Sequence, residues 1–172
     1  MNIREVLLKE HSRIQTSRIV KYIGKNDDRF ASLVKIYLAG PYRVTQRAAW
    51  PLSNCIEAHP GLITPHWKVL IDFAKKPGVH DAVKRNTVRL LQFIDIPPKH
   101  QGKVADLCFR FLQDTSEPIA VRCFSMTVLA RIAKEKPELK NELKILVEDQ
   151  FPYATPGFLS RAKKVLKQLN QE

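Results

Sequence analysis

Glycine is scarce in this 172-residue chain, with six copies, and cysteine scarcer still, with three. So few glycines form no glycine-rich phosphate loop, and no Gly-x-Ser-x-Gly elbow occurs. An odd number of cysteines is not a disulfide framework. Cys55, Cys108 and Cys123 all fall within apolar helical patterns, the last two on adjacent helices of one hairpin. Small buried thiols in a reducing compartment account for them, and a cytoplasmic location is expected. No apolar run approaches the roughly 18 residues of a membrane helix, so no membrane association is expected. Residues 1–10 lack both an unbroken apolar stretch and a small-residue cleavage site, and do not read as a signal peptide.

Acidic residues are also in short supply. Seventeen Asp and Glu stand against 29 Lys and Arg, giving a net charge of +12 and a pI near 9.8. Such a field draws polyanions or acidic protein faces, although it also serves plain solubility. The histidines His11, His59, His66, His80 and His100 show no metal-ligand spacing with Cys, Asp or Glu. No metal, no cofactor and no catalytic residue are expected.

What the chain does have is repetition. Segments beginning at Tyr42, Ala82, Ile119 and Phe158 align without gaps, and each carries an arginine at the same place: Arg47, Arg85, Arg122 and Arg161. The intervals are 38, 37 and 39 residues, the length of a two-helix repeat. Counting from the arginine, apolar residues fall at −3, +5 and +8, as in Val44, Leu52 and Cys55, or Ala82, Leu90 and Phe93, or Phe158, Leu166 and Leu169. That spacing makes each segment an amphipathic helix with one buried face.

A first helix precedes each one. Asp27-Asp28 opens a helix to about residue 38, and Thr64-Pro65, a cap followed by proline, opens one to about residue 76. Two more are expected over about 102–113 and 137–150, with short Pro- and Gly-bearing links between. The predicted fold is all-α: a right-handed α-α superhelix of about four hairpins, read as one domain over 1–172. Its repeats span approximately 26–60, 61–98, 99–136 and 137–172, and one or two helices in 1–25 form an N-terminal cap.

The segment from Pro118 to Ile132, with its Val121-Arg122 pair followed by small and aliphatic positions, resembles the second helix of a HEAT repeat. The resemblance covers roughly residues 27–170. It implies a solenoid whose second helices line a concave face, serving as a scaffold for protein or nucleic acid. One feature departs from the family. Pro41, Val79, Ser116 and Thr155 stand where an aspartate six residues before the arginine is usual.

In such a stack the four arginines would form a row about 30 Å long, at helix spacings of 8–10 Å. Positions +3 and +7 share that flank. The candidate groove is therefore Arg47, Trp50 and Asn54; Arg85 and Gln92; Arg122; and Arg161, Lys164 and Gln168. Guanidiniums, amides and one indole suit carboxylates, phosphates or peptide backbone. Trp50 and Asn54 resemble the Trp/Asn pair with which armadillo grooves hold an extended peptide, and Trp50 equally suits core filling. Pro51 is expected to kink its helix beside them.

Two readings of the arginines stay open: a structural ladder bonded to neighbouring carbonyls, or a surface that contacts a ligand. The expected role is a non-catalytic module binding a protein or acidic peptide. A phosphate-backbone binder is the alternative. HEAT-like DNA glycosylases are a third class, but they pair aromatics with a cleft carboxylate. The mid-chain candidates for that carboxylate are Asp72 and Asp95, the first on a first helix and the second at a helix end.

Overall fold

The computed structural model describes residues 1–171. It is 79% helical, with ten α-helices and no strand among the described residues. The chain divides into two compact units, Met1–Ile94 and Asp95 onward.

In the first unit, α1 (Ile3–Lys9), α2 (Arg13–Ile23), α3 (Asp27–Ala39) and α6 (Asp81–Leu91) share one central neighbour, α4 (Tyr42–Ala58). The Asn26 side chain caps α3 by accepting from the Arg29 amide at 2.9 Å, and Asp27 and Asp28 follow in the positively poled first turn. The His80 ring does the same for α6, with Nδ1 accepting from the Ala82 amide at 2.9 Å. Phe30, Leu33, Tyr37, Ala48, Ile56 and Leu91 are sealed from solvent between these helices. Gly40 lets α3 turn sharply into α4, for a β-carbon there would lie 2.6 Å from the Ile36 carbonyl oxygen and 2.8 Å from Val44.

The helix expected from Thr64-Pro65 begins later. Pro60–His66 forms a 3-10 segment, and α5 (Trp67–Ala74) follows it. Two prolines bracket this stretch, and Pro65 falls within the tight turns instead of opening the α-helix. Helix α4 runs unbroken through Pro51, which is buried.

The second unit contains α7 (Pro98–Gln113), α8 (Ile119–Glu135), α9 (Leu139–Glu148) and α10 (Pro156–Asn170). Helix α7 starts four residues before the expected boundary, because Pro98 occupies its first position, where the ring's fixed φ suits the helix and no amide is lost. Helix α8 is the centre of this unit and packs against α7, α9 and α10. It is buried almost all round, through Val121, Cys123, Ser125, Met126, Val128, Leu129 and Ala133.

The apolar register holds well in α4, where Val44, Leu52 and Cys55 are all buried. It slips in α6. There Val83, Thr87, Leu90 and Leu91 face inward, while Ala82 is half-buried and Phe93, beyond the helix end, is 62% exposed.

Candidate functional site

The four recurrent arginines meet different surroundings. Arg47, on α4, donates from one Nη1 to the Leu7 and Leu8 carbonyl oxygens, each at 2.9 Å. Those carbonyls belong to the last turn of α1, which the guanidinium caps. Arg122 on α8 donates to the Gln150 side-chain oxygen and lies over the Phe158 ring, 4.8 Å from its centroid. Gln150 in turn donates to the Leu112 carbonyl at 2.9 Å and to that of Leu146 at 3.1 Å. Arg161 on α10 donates to the Thr127 hydroxyl at 3.1 Å. Carbonyls, an amide oxygen and a hydroxyl thus accept from these three guanidiniums.

Arg85 differs. It is exposed, and no hydrogen bond or ion pair holds it among the described residues. One helical turn further along α6, Arg89 takes the place next to α4: it pairs with Glu57 at 2.9 Å and donates to the Asn54 side-chain oxygen at 3.4 Å. Arg89 therefore ties the two helices together and leaves Arg85 to solvent. Neither Arg89 nor Glu57 stood out in the sequence. The only signal for them was opposite charge on faces that the repeat brings together.

Arg85 borders a cleft of about 340 Å³ within the first unit, lined also by His11, Gln46, Trp50, Ala82, Asn86 and Arg89. Half-buried Trp50 meets the His11 ring edge-on, with centroids 5.8 Å apart. His11 reaches the cleft from the link between α1 and α2. Partial burial first, then the Arg47 and Arg85 charges, hold its pKa below the ordinary imidazole value. Across Trp50 and Arg89 a second cleft continues, lined by Arg13, Ser17, Asn54, Glu57 and Ala58.

The remaining candidates scatter. Gln92 sits at the end of α6, where its amide folds back to the Arg89 carbonyl at 3.3 Å. Lys164 is exposed. Gln168 lines a separate cleft of about 680 Å³ in the second unit, with Asp95, Pro98, Gln101, Arg131 and Glu135. The +3 flank is not uniform: Val88 and Ser125 are buried, Trp50 is half-buried and Lys164 is open.

No cluster of three His, Cys, Asp or Glu fit to hold a metal occurs among the described residues. Asp72 pairs with Lys68 at 2.9 Å on α5, and Asp95 lies 3.8 Å from Arg131. No described helix is long and apolar enough to cross a membrane.

Against known proteins, the HEAT repeat domain family matches residues 3–169. The chain belongs to the HEAT-repeat family. No curated protein and no solved structure matches it. HEAT repeats typically mediate protein interactions, and the family is generally non-catalytic. This HEAT-repeat chain carries its one unpaired recurrent arginine beside an accessible indole, and that pairing distinguishes Arg85 from the other three.

Proposed function

We propose that this protein is a non-catalytic interaction module that holds an acidic segment of a protein partner along the cleft beside Trp50. The supporting observation is the division of labour among the arginines. Arg47, Arg122 and Arg161 are engaged internally, whereas Arg85 is unpaired on a cleft with an indole wall. A polyanion such as nucleic acid would draw on a run of equivalent free cations. One free guanidinium next to an aromatic surface and side-chain amides fits an extended peptide with a carboxylate better. In that reading Trp50 packs a side chain, Arg85 takes the carboxylate, and Asn54, with its oxygen turned to Arg89, offers its amide N–H groups to the peptide backbone. The three buried free thiols fit a cytoplasmic setting.

Indole fluorescence provides the test, because Trp67 is buried and Trp50 alone faces a cleft. Titration with a Glu-rich dodecapeptide is expected to shift the Trp50 emission, and Arg85→Ala to weaken binding about tenfold, as lost charge-assisted hydrogen bonds do. The net charge of +12 is what favours the phosphate-backbone alternative. That reading wins if only oligonucleotides bind, with affinity falling by orders of magnitude between about 50 and 200 mM salt.

A further inference from the structure

The charge around the cleft says more about its occupant than that it is acidic. Arg47 and Arg85 reach His11 electrostatically, and Arg89 lines the same wall. No carboxylate lines this cleft; Glu57, in the adjoining one, is paired with Arg89. Near His11 in sequence stand one acidic residue, Glu10 on the link, and one basic residue, Arg13 at the start of α2. Of the residues that line the cleft, Arg85 therefore carries a positive charge that no side chain answers, and His11 adds a second whenever it is protonated. Arg47 does not line the cleft; bonded to the Leu7 and Leu8 carbonyls, it acts on His11 through its charge alone.

A carboxylate would answer one of these charges. A phosphomonoester dianion answers both, and its three terminal oxygens accept from several donors at once. Guanidinium, imidazole and the amides of Gln46 and Asn86 surround a space of about 340 Å³, ample for one phosphoryl group and confined for a polymer of them. We infer that the cleft between His11, Trp50 and Arg85 receives a phosphorylated side chain of a protein partner. This rests on the proposed acidic-segment function and names its anion.

Proton uptake is a signature that follows. Partial burial first, then the charges of Arg47 and Arg85, disfavour imidazolium at His11. A dianion placed among them reverses the local field, so the imidazole takes up a proton as the ligand binds. Sulfate, which keeps its charge of −2 across neutral pH, separates this effect from titration of phosphate itself.

The experiment uses the full chain, with capped phosphoserine (N-acetyl, amide), capped aspartate, sodium sulfate and sodium acetate as probes at matched ionic strength. Binding is read from the Trp50 indole N–H signal, and the pKa of His11 from its imidazole protons. Phosphoserine is expected to bind about tenfold or more tightly than aspartate. Sulfate should raise the His11 pKa where acetate does not, and Arg85→Ala should abolish both differences. Because Arg85 is exposed and unpaired, that variant should keep its fold. His11→Gln is a second check, expected to remove the gain in sulfate affinity below neutral pH.

Equal affinities for phosphoserine and aspartate would overturn the dianion while leaving the acidic-segment reading intact. If Arg85→Ala leaves the phosphoserine preference unchanged, the site lies elsewhere. Binding of a single-stranded dodecanucleotide with no response to either capped residue would overturn both readings.

Discussion

The recurrent arginines differ less in sequence context than in what their guanidiniums reach. Arg122 holds Gln150, which also donates to the Leu112 and Leu146 carbonyls, so truncating it disturbs three elements of the second unit. Arg122→Ala should therefore lower stability by about 1–3 kcal/mol, measured by urea unfolding. Arg85→Ala, with no partner to lose, should fall within about 0.5 kcal/mol of the parent. The period of the arginines was legible, but their acceptors were not. Leu7, Leu8 and Gln150 lie 28 to 40 residues away from their donors, and a carbonyl or amide acceptor leaves no mark in a pattern of charges.

The thiols were more readable: apolar neighbours placed Cys55 and Cys108 inside, and burial pushes both up to about 12. A thiol that stays protonated in the fold but ionises when unfolded stabilises fully below the unfolded pKa near 9. That contribution is lost as pH rises from about 9 toward 12. Stability should fall across this window, and by less in Cys108→Ala after correction for the cavity. Neither thiol should react with a thiol-directed reagent at pH 7 in the folded protein.

Helices were easier to place than their ends. Alternation at 3.6 residues is a long-range average, whereas a boundary depends on one or two side chains. Pro98 shows this, since a Pro-Pro pair reads equally as a stop or as a first turn, and here it opens α7. The Phe93 assignment failed for a related reason: α6 ends at Leu91, so the eighth position after Arg85 is no longer on the helix. Caps give sharper expectations at this scale. Asn26→Ala removes the oxygen that accepts from the Arg29 amide and should cost about 1 kcal/mol by thermal or urea unfolding. Gly40→Ala should cost about 1–3 kcal/mol, because the new methyl meets backbone oxygen and the Val44 side chain, neither of which can swing away. Substitution at Gly61, where the added carbon meets open space, should be close to neutral.

The molecule as a whole carries +12, and that number alone favours any polyanion. What narrows it is distribution of partners: most of the recurrent guanidiniums are spent inside their own unit, and the free one stands beside Trp50. The all-helical fold was legible because amphipathic helices recur at a period of about 38 residues, and the family through the resemblance of the segment from Pro118 to Ile132 to a HEAT second helix. The cleft was legible only in part, since Arg89 releases Arg85 through contacts with Glu57 and Asn54 that no spacing announces. Comparing the four variants Arg47→Ala, Arg85→Ala, Arg122→Ala and Arg161→Ala by two readouts, affinity for an acidic peptide and unfolding free energy, is the most direct test. Arg85→Ala should lose most of the affinity at unchanged stability, while Arg122→Ala and Arg161→Ala should lose stability and keep affinity. Four variants that weaken binding alike, or an Arg85 variant that unfolds as readily as the Arg122 one, would contradict it.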